Sequence, residues 1–382
     1  MAQEITVESN QLLIPMIDAR RVEESRIGCC LDFFDESFND DLSSYDLFIL
    51  GVPEGRLSLG NENCDLAPDE IRSSLYGLYE GEWALKILDL GNLRIGQTVE
   101  DTYAILEQLT TYLIQRGAVL LVLGGGHDLM TPIYKGHSAL GKPLNFASAD
   151  AYLDFQDGDS YHSKSFLSHL LASKESMLSN YSLFGYQTYL CDPKEVHLLN
   201  QMDFNLIRLG EVNSDLNEME PYIRSIDHLS VDVSVVKASE APANTYSSPN
   251  GMTAEGLCVM LRYAGLSSRV KSILFSELNP RLDKNSQSAK VYAQAIWYFL
   301  EGLHLRQDDL LTEKFNDLKV FHVHSELTEL VFYKSLVSDK WWVNFSNQKG
   351  SAKNLLPCSS LDYMKAVDGE LSGRMLKYIR FK

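Results

Sequence analysis

Four stretches of this chain end an apolar run on residues able to ligate a cation. VLLVLGGGHD sets His127 and Asp128 behind three glycines, LNFASADAYLD carries Asp150 and Asp154, HLSVDVS carries Asp232, and SILFSELNP carries Glu277. In an open parallel sheet ligands gather at the carboxyl ends of the strands, so polar residues that follow apolar runs are the ones to bring together. Any one of them alone is more often a helix cap or a turn residue. Meeting in one crevice, carboxylates and an imidazole would repel one another and raise the carboxyl pKa values unless a cation neutralises them. Imidazole with aspartate oxygens suits Mn2+ or a similar divalent ion, whereas thiolates would suggest zinc.

The elements that must position these residues follow from the hydrophobic pattern. Short apolar runs ending in Gly, Asp or Asn alternate with longer helical segments, which is the pattern of βα units feeding a parallel sheet. Strands are expected at Leu47 to Gly51, Ile87 to Leu90, Val119 to Gly124, Leu144 to Ser148, Tyr181 to Gly185, Leu206 to Gly210, Leu229 to Val233 and Ile273 to Glu277. Continuous runs such as VLLVL imply strands buried on both faces. The fold class is therefore three-layer α/β/α with a mostly parallel central sheet of about eight strands. Helices are expected at Pro68 to Leu78, Val99 to Arg116, Thr253 to Ala264 and Ser288 to Glu301. Residues 1–315 are read as this α/β domain. Residues 316–382 are read as an extension of one strand, a loop and a terminal helix packed on it.

Composition narrows the partners. A formal net charge of −18 without a Lys/Arg cluster disfavours nucleic acid and favours cations and small substrates. The apolar runs are far shorter than the roughly 20 residues that cross a bilayer, so no membrane association is expected. Six scattered cysteines without CxxC spacing, and an N-terminus lacking a basic and an apolar signal region, predict a cytoplasmic protein with reduced thiols.

GGGHD, SADAYLD and SVDVS followed by APANTYSSPNGMT resemble, in order and approximate spacing, the GGxH, DAHxD and SxDxD signatures of the arginase, agmatinase and formiminoglutamase family. GVPEGRLSLGNENCDLAPDEIRSSLY, ILDLGN and SELNPRLD extend the resemblance over roughly residues 45 to 300. It implies an arginase-like fold and a metal-dependent attack of water on a guanidine or amidine carbon. One metal would take His127, Asp150, Asp154 and Asp232. The second would need two further ligands whose positions hold Tyr152 and Ser234, so one Mn2+ is expected and two are not. Neither neutral side chain brings the charge that compensates a divalent ion. Lys237, where the family has Asp, is a candidate fixed positive charge facing Asp232. Glu277 matches the acid that orients the cationic substrate, and His162 and Ser163 occupy a substrate-contacting loop, His162 as a catalytic candidate beside Asp154 and Glu277. His322, His324 and Glu326 are a further, weaker metal candidate and read chiefly as strand side chains.

Two functions follow. One is a hydrolase of a linear amidine or guanidine, most like formiminoglutamase because of the GGGH form of the first motif. The other is an inactive relative that keeps the fold to bind a cationic small molecule, a metal or a protein. Deacetylase-like chemistry on a related fold is a third, minor reading. Homo-oligomers are common among relatives, and Trp341 and Trp342 could cover a neighbour.

Overall fold

The computed structural model describes residues 12–15, 23–35, 41–156, 160–173, 176–307, 317–324, 329–345 and 355–380. Ten strands form the main sheet: Leu13–Ile14 (β1), Asp32–Phe33 (β2), Leu47–Gly51 (β3), Ile87–Leu93 (β4), Val119–Leu123 (β5), Leu144–Ala149 (β6), Leu178–Tyr186 (β7), Asn205–Arg208 (β8), His228–Asp232 (β9) and Ser272–Ser276 (β10). Their order is β1-β4-β3-β5-β10-β9-β6-β7-β8, with β2 beside β4, and only β1 runs antiparallel. The two strands beyond the expected set, β1 and β2, are two residues each, too short to show a hydrophobic period.

Burial on both faces explains the continuous apolar runs. Along β5, Val119, Leu121 and Leu123 enter one core with the helices Ala67–Tyr76, Ala254–Leu266 and Gln287–His304. Leu120 and Val122 enter the other core with Val99–Ile114, Met130–Ser138 and Phe166–Ala172. The expected three layers are thus present. Helix starts obey local chemistry: Thr98 Oγ1 accepts from Asp101 N, and the Asp101 carboxylate accepts from Thr98 N. The strand expected at Leu206 to Gly210 stops at Arg208 and turns into the helix Leu209–Ser214, because its partner β7 ends at Tyr186 and offers no further ladder. Arg72, fully buried, ties the helix Ala67–Tyr76 to β4 through Asp89, with Nε 2.9 Å from Oδ2 and Nη2 3.0 Å from Oδ1.

The C-terminal region departs from the expectation of one strand. Leu318–His324 (β11), Glu329–Ser335 (β12), Trp341–Asn344 (β13) and Leu356–Cys358 (β14) form a separate antiparallel sheet, followed by the helices Ser360–Val367 and Gly373–Arg380. The WWVN and LPC strands are too short to register as period-2 patterns. The expected boundary at residue 315 lies outside the described residues. Trp341, half-buried, packs in a three-ring cluster with Phe321 and Tyr363, and Trp342 is buried under the Arg224 guanidinium. Among the described residues no helix is long and apolar enough to cross a membrane.

Candidate metal centre

Strands β5, β10, β9 and β6 are neighbours in the middle of the sheet, and their carboxyl ends bring the motif residues together. The chain order breaks here, since β5 and β6 are parted by β10 and β9, which opens a crevice at a topological switch point. After β5 the backbone turns through Gly124 (φ 85°) and Gly125 (φ 78°). A Cβ on Gly124 would lie 2.4 Å from Pro68 Cδ, and one on Gly125 would lie 2.7 Å from the Glu54 carbonyl oxygen, so the turn admits no side chain. It delivers His127 into the crevice.

One ligand atom from each of His127, Asp150, Asp154 and Asp232 lies within 4.8 Å of every other, and all four residues are buried. His127 Nδ1 is 2.6 Å from Asp154 Oδ2, 3.2 Å from Asp150 Oδ2 and 3.8 Å from Asp232 Oδ2. A single Nδ1 proton serves Asp154, which leaves Asp150 Oδ2 buried without a hydrogen bond. Burial, then the Asp154 charge, pushes Asp150 up to about 6. Burial, then Asp150 and Glu277, raises Asp232 well above the carboxylate range. Burial alone would lower His127, but hydrogen bonds to Asp150 and Asp154 reverse that and raise it strongly. Asp154 has φ 49° and Glu277 has φ 61°, left-handed conformations that side chains rarely adopt and that concentrate at functional sites. An orphaned carboxylate oxygen, compressed acids and a hard-oxygen donor set with one imidazole all fit a single divalent cation.

The opposite flank is built differently. Ser234 Oγ donates to Asp150 Oδ1 at 3.0 Å, and Tyr152 N donates to the same oxygen at 2.9 Å. Asp150 Oδ1 is therefore engaged by two protein donors. The Tyr152 hydroxyl turns away to the Tyr246 carbonyl at 3.1 Å, and its ring meets Tyr246 edge-on. Burial, then the charges of Asp150 and Asp232, pushes its phenol up to about 12, so it is neutral. Among the described residues no second cluster of metal-ligating groups is present. Lys237 does not face Asp232: its Nζ pairs with Glu240 at 2.6 Å, the short i,i+3 partner winning over a longer reach. The ammonium on this flank is Lys164, 2.8 Å from the Tyr246 ring centroid.

Glu277 is held over the cluster by three donors: His127 N to Oε1 at 2.9 Å, and Ser58 Oγ and Asn61 Nδ2 to Oε2 at 2.6 and 2.8 Å. Ser163 is buried, its N donating to Leu57 O and its Oγ accepting from Leu59 N, so it frames the loop that presents Ser58. His162 is partly exposed on the same loop and its Nδ1 accepts from Lys164 N. Asp128 points away from the cluster to the Tyr103 hydroxyl, and burial pushes its carboxyl up to about 7. His322 and His324 lie on β11 in the second sheet. His322, 61% exposed, sits 3.7 Å from Glu329, and Glu326 lies outside the described residues.

Residues missed in the sequence complete the frame. His127 Nε2 is 2.7 Å from Ser230 Oγ, which is 2.7 Å from Ser148 Oγ, and Tyr181 donates to Ser148. Ser230 stands two residues before Asp232 on β9, a same-face spacing that could have flagged it. Ser58 and Asn61 sit in a loop without periodicity, and only proximity reveals them.

The sequence profile of the arginase family matches residues 45–301. The chain belongs to the arginase family. It is 29% identical over 275 residues to a formimidoylglutamase of Corynebacterium efficiens, covering 66% of this chain and 82% of that one. A formimidoylglutamase of Lysinibacillus sphaericus is 23% identical over 264 residues, covering 66% and 81%. The fold superposes on Trypanosoma cruzi formiminoglutamase crystallised with Mn2+ at a TM-score of 0.65, with 22% identity over 70% of this chain and 97% of that one. Bacillus subtilis formimidoylglutamase gives a TM-score of 0.64 at 18% identity, covering 71% and 95%. Residues beyond 301, including the second sheet, lie outside the family match.

Proposed function

We propose that this protein is a single-ion C–N hydrolase of a linear amidine or guanidine, most like formimidoylglutamase. The observation that carries this reading is the closed set of buried ligand atoms on one flank, opposite a flank where Ser234 and Tyr152 N engage Asp150. His127, Asp150, Asp154 and Asp232 would hold one Mn2+. Such an ion supplies Lewis acidity and the positive charge that these acids lack.

The chain's own residues do the rest. Asp150, Asp154 and Asp232 would hold the ion as carboxylates, and Ser230 fixes the imidazole of His127 through Nε2. Glu277, clamped by Ser58, Asn61 and His127 N, presents a carboxylate to the cationic amidinium and sets its carbon towards the acids. Hydrolysis adds water across the amidine carbon, breaks one C–N bond and expels ammonia or an amine, which must take up a proton. His162 is the group we assign to that proton movement, since burial lowers its pKa and leaves it neutral at pH 7. Ser163 shapes the loop beside the substrate.

The hydrogen bond from Ser234 to Asp150 also supports a second reading, a relative that binds a cation or a cationic ligand without turnover. Metal content and ammonia release separate the two. We expect one Mn2+ per wild-type chain, none in Asp150→Ala, two in the Tyr152→His, Ser234→Asp double variant, and ammonia from formimidoylglutamate. An ion without turnover on any amidine or guanidine would favour the binding protein. No ion in the wild type would sink both metal readings.

A further inference from the structure

A second site forms at the other edge of the main sheet, where the C-terminal region meets the body. A cavity of about 410 Å3 is bounded by the segments that lead into β6, β9 and β10, by β13 and by the helix Gly373–Arg380. This is the amino-terminal edge of the parallel strands, whereas the His127 cluster lies at their carboxyl ends. Five cations line it, Arg224, Arg269, Lys340, Arg374 and Lys377, against one lining acid, Asp203, in a chain of net charge −18.

Two of these cations are more than nine-tenths buried, with Arg224 and Arg374 side chains 8% and 5% exposed. Arg224 Nη2 donates to the Trp341 and Cys358 carbonyls, its Nε is 3.2 Å from Glu220, and its plane covers the Trp342 ring. Arg374 Nη2 donates to Glu218, its Nη1 is 3.4 Å from Asp362, and its plane covers Tyr222. These contacts account for the docking of the second sheet. They do not satisfy two further donors: Arg224 Nη1 and Arg374 Nε are buried without a hydrogen-bond partner. Buried N–H groups in native proteins are met almost without exception, by protein, by water or by a ligand.

We propose that this cavity binds a phosphate-bearing small molecule whose oxygens pair with Arg224 and Arg374. The planar fork of guanidinium donors matches phosphate oxygens. The volume falls within the ~300–1,000 Å3 of small-molecule sites, so the ligand carries an organic part beyond its phosphate. Arg269, 43% exposed and paired with Asp227, and half-buried Lys340 stand where the ligand enters. Because the cavity is walled by both the family body and the region beyond residue 301, its occupant would clamp the two together. The proposal does not depend on the chemistry assigned to the metal centre.

Isothermal titration of the full chain in metal-free buffer at constant ionic strength tests it, with pyrophosphate, ATP and citrate as probes. Saturable one-to-one binding of pyrophosphate or ATP is expected, weakened about tenfold or more by the Arg269→Gln, Lys340→Gln double variant and unchanged by Asp150→Ala. The entrance variant loses no fully buried group, so it should fold even where Arg374→Gln does not. Citrate binding in place of both phosphates would overturn the phosphate assignment. No saturable binding, or equal affinity in the entrance variant, would assign the unpaired donors to water and overturn the site.

Discussion

Asp150→Asn should stabilise the metal-free protein while abolishing its response to Mn2+, two effects of opposite sign from one atom's exchange. In the wild type burial and the Asp154 charge outweigh the attraction of His127 for the Asp150 carboxylate, so its ionised form is disfavoured in a way that a neutral amide is not. At the largest separation in the cluster, 4.8 Å, and an effective dielectric near 20, one unit pair is worth about 3.5 kcal/mol. Solvent access and relaxation reduce that, so a gain of roughly 1–3 kcal/mol is the expected scale. The asparagine Oδ1 still accepts from Ser234 Oγ and Tyr152 N, and its Nδ2 takes the place of the oxygen that accepts no bond. For the wild type, Mn2+ at about one hundred times its Kd adds about 2.7 kcal/mol. The assay is urea unfolding of both proteins, each with EDTA and with Mn2+. A metal-free variant less stable than wild type, or one that still gains from Mn2+, would refute the crowded-acid reasoning.

Glu277→Gln should lose affinity for amidinium ligands and destabilise the fold by about 1–3 kcal/mol, because the amide nitrogen would face a donor among Ser58, Asn61 and His127 N; titration with a non-hydrolysable amidine and thermal melts read both. His137, buried among Phe146 and Ser272, has its pKa pushed down to about 3 by burial. The unfolded chain takes up that proton below about pH 6.5 and the folded chain does not, so stability falls with pH through this window at up to about 1.4 kcal/mol per unit. His137→Gln should flatten the pH dependence of urea midpoints between pH 5 and 7 relative to wild type, and an unchanged slope would contradict the burial account.

How much of this was legible in the sequence depended on whether a residue belonged to a periodic run. VLLVL, SILFS and HLSVD fixed central strands to within a residue or two, because strands buried on both faces have no polar positions to blur them. The residues just beyond such runs therefore pointed at the crevice, and His127, Asp150, Asp154 and Asp232 share one cluster. Asp128, adjacent to His127, could not be told from a ligand in the sequence. Only the turn through Gly124 and Gly125 shows that the two side chains diverge. The same limit applies to Lys237, whose nearby Glu240 captured it, and to the second sheet, whose register depends on contacts between short segments.

On the proposed single-ion reading, the flank of Tyr152 and Ser234 is better described as rebuilt than as damaged. A lost ligand would leave Asp150 with two bare oxygens, yet Ser234 and Tyr152 N occupy one and leave only the oxygen that faces the proposed ion. Formal charge points the same way. Asp150, Asp154, Asp232 and Glu277 bring −4, one divalent ion brings +2 and an amidinium +1, which leaves −1 uncompensated. Lys164, fixed over the Tyr246 ring beside Tyr152, supplies +1 to that flank from a residue the metal ligands do not include. A buried site close to neutrality with one ion and one cationic ligand has no electrostatic need of a second ion, so the exchanges at positions 152 and 234 are compatible with a working single-ion centre.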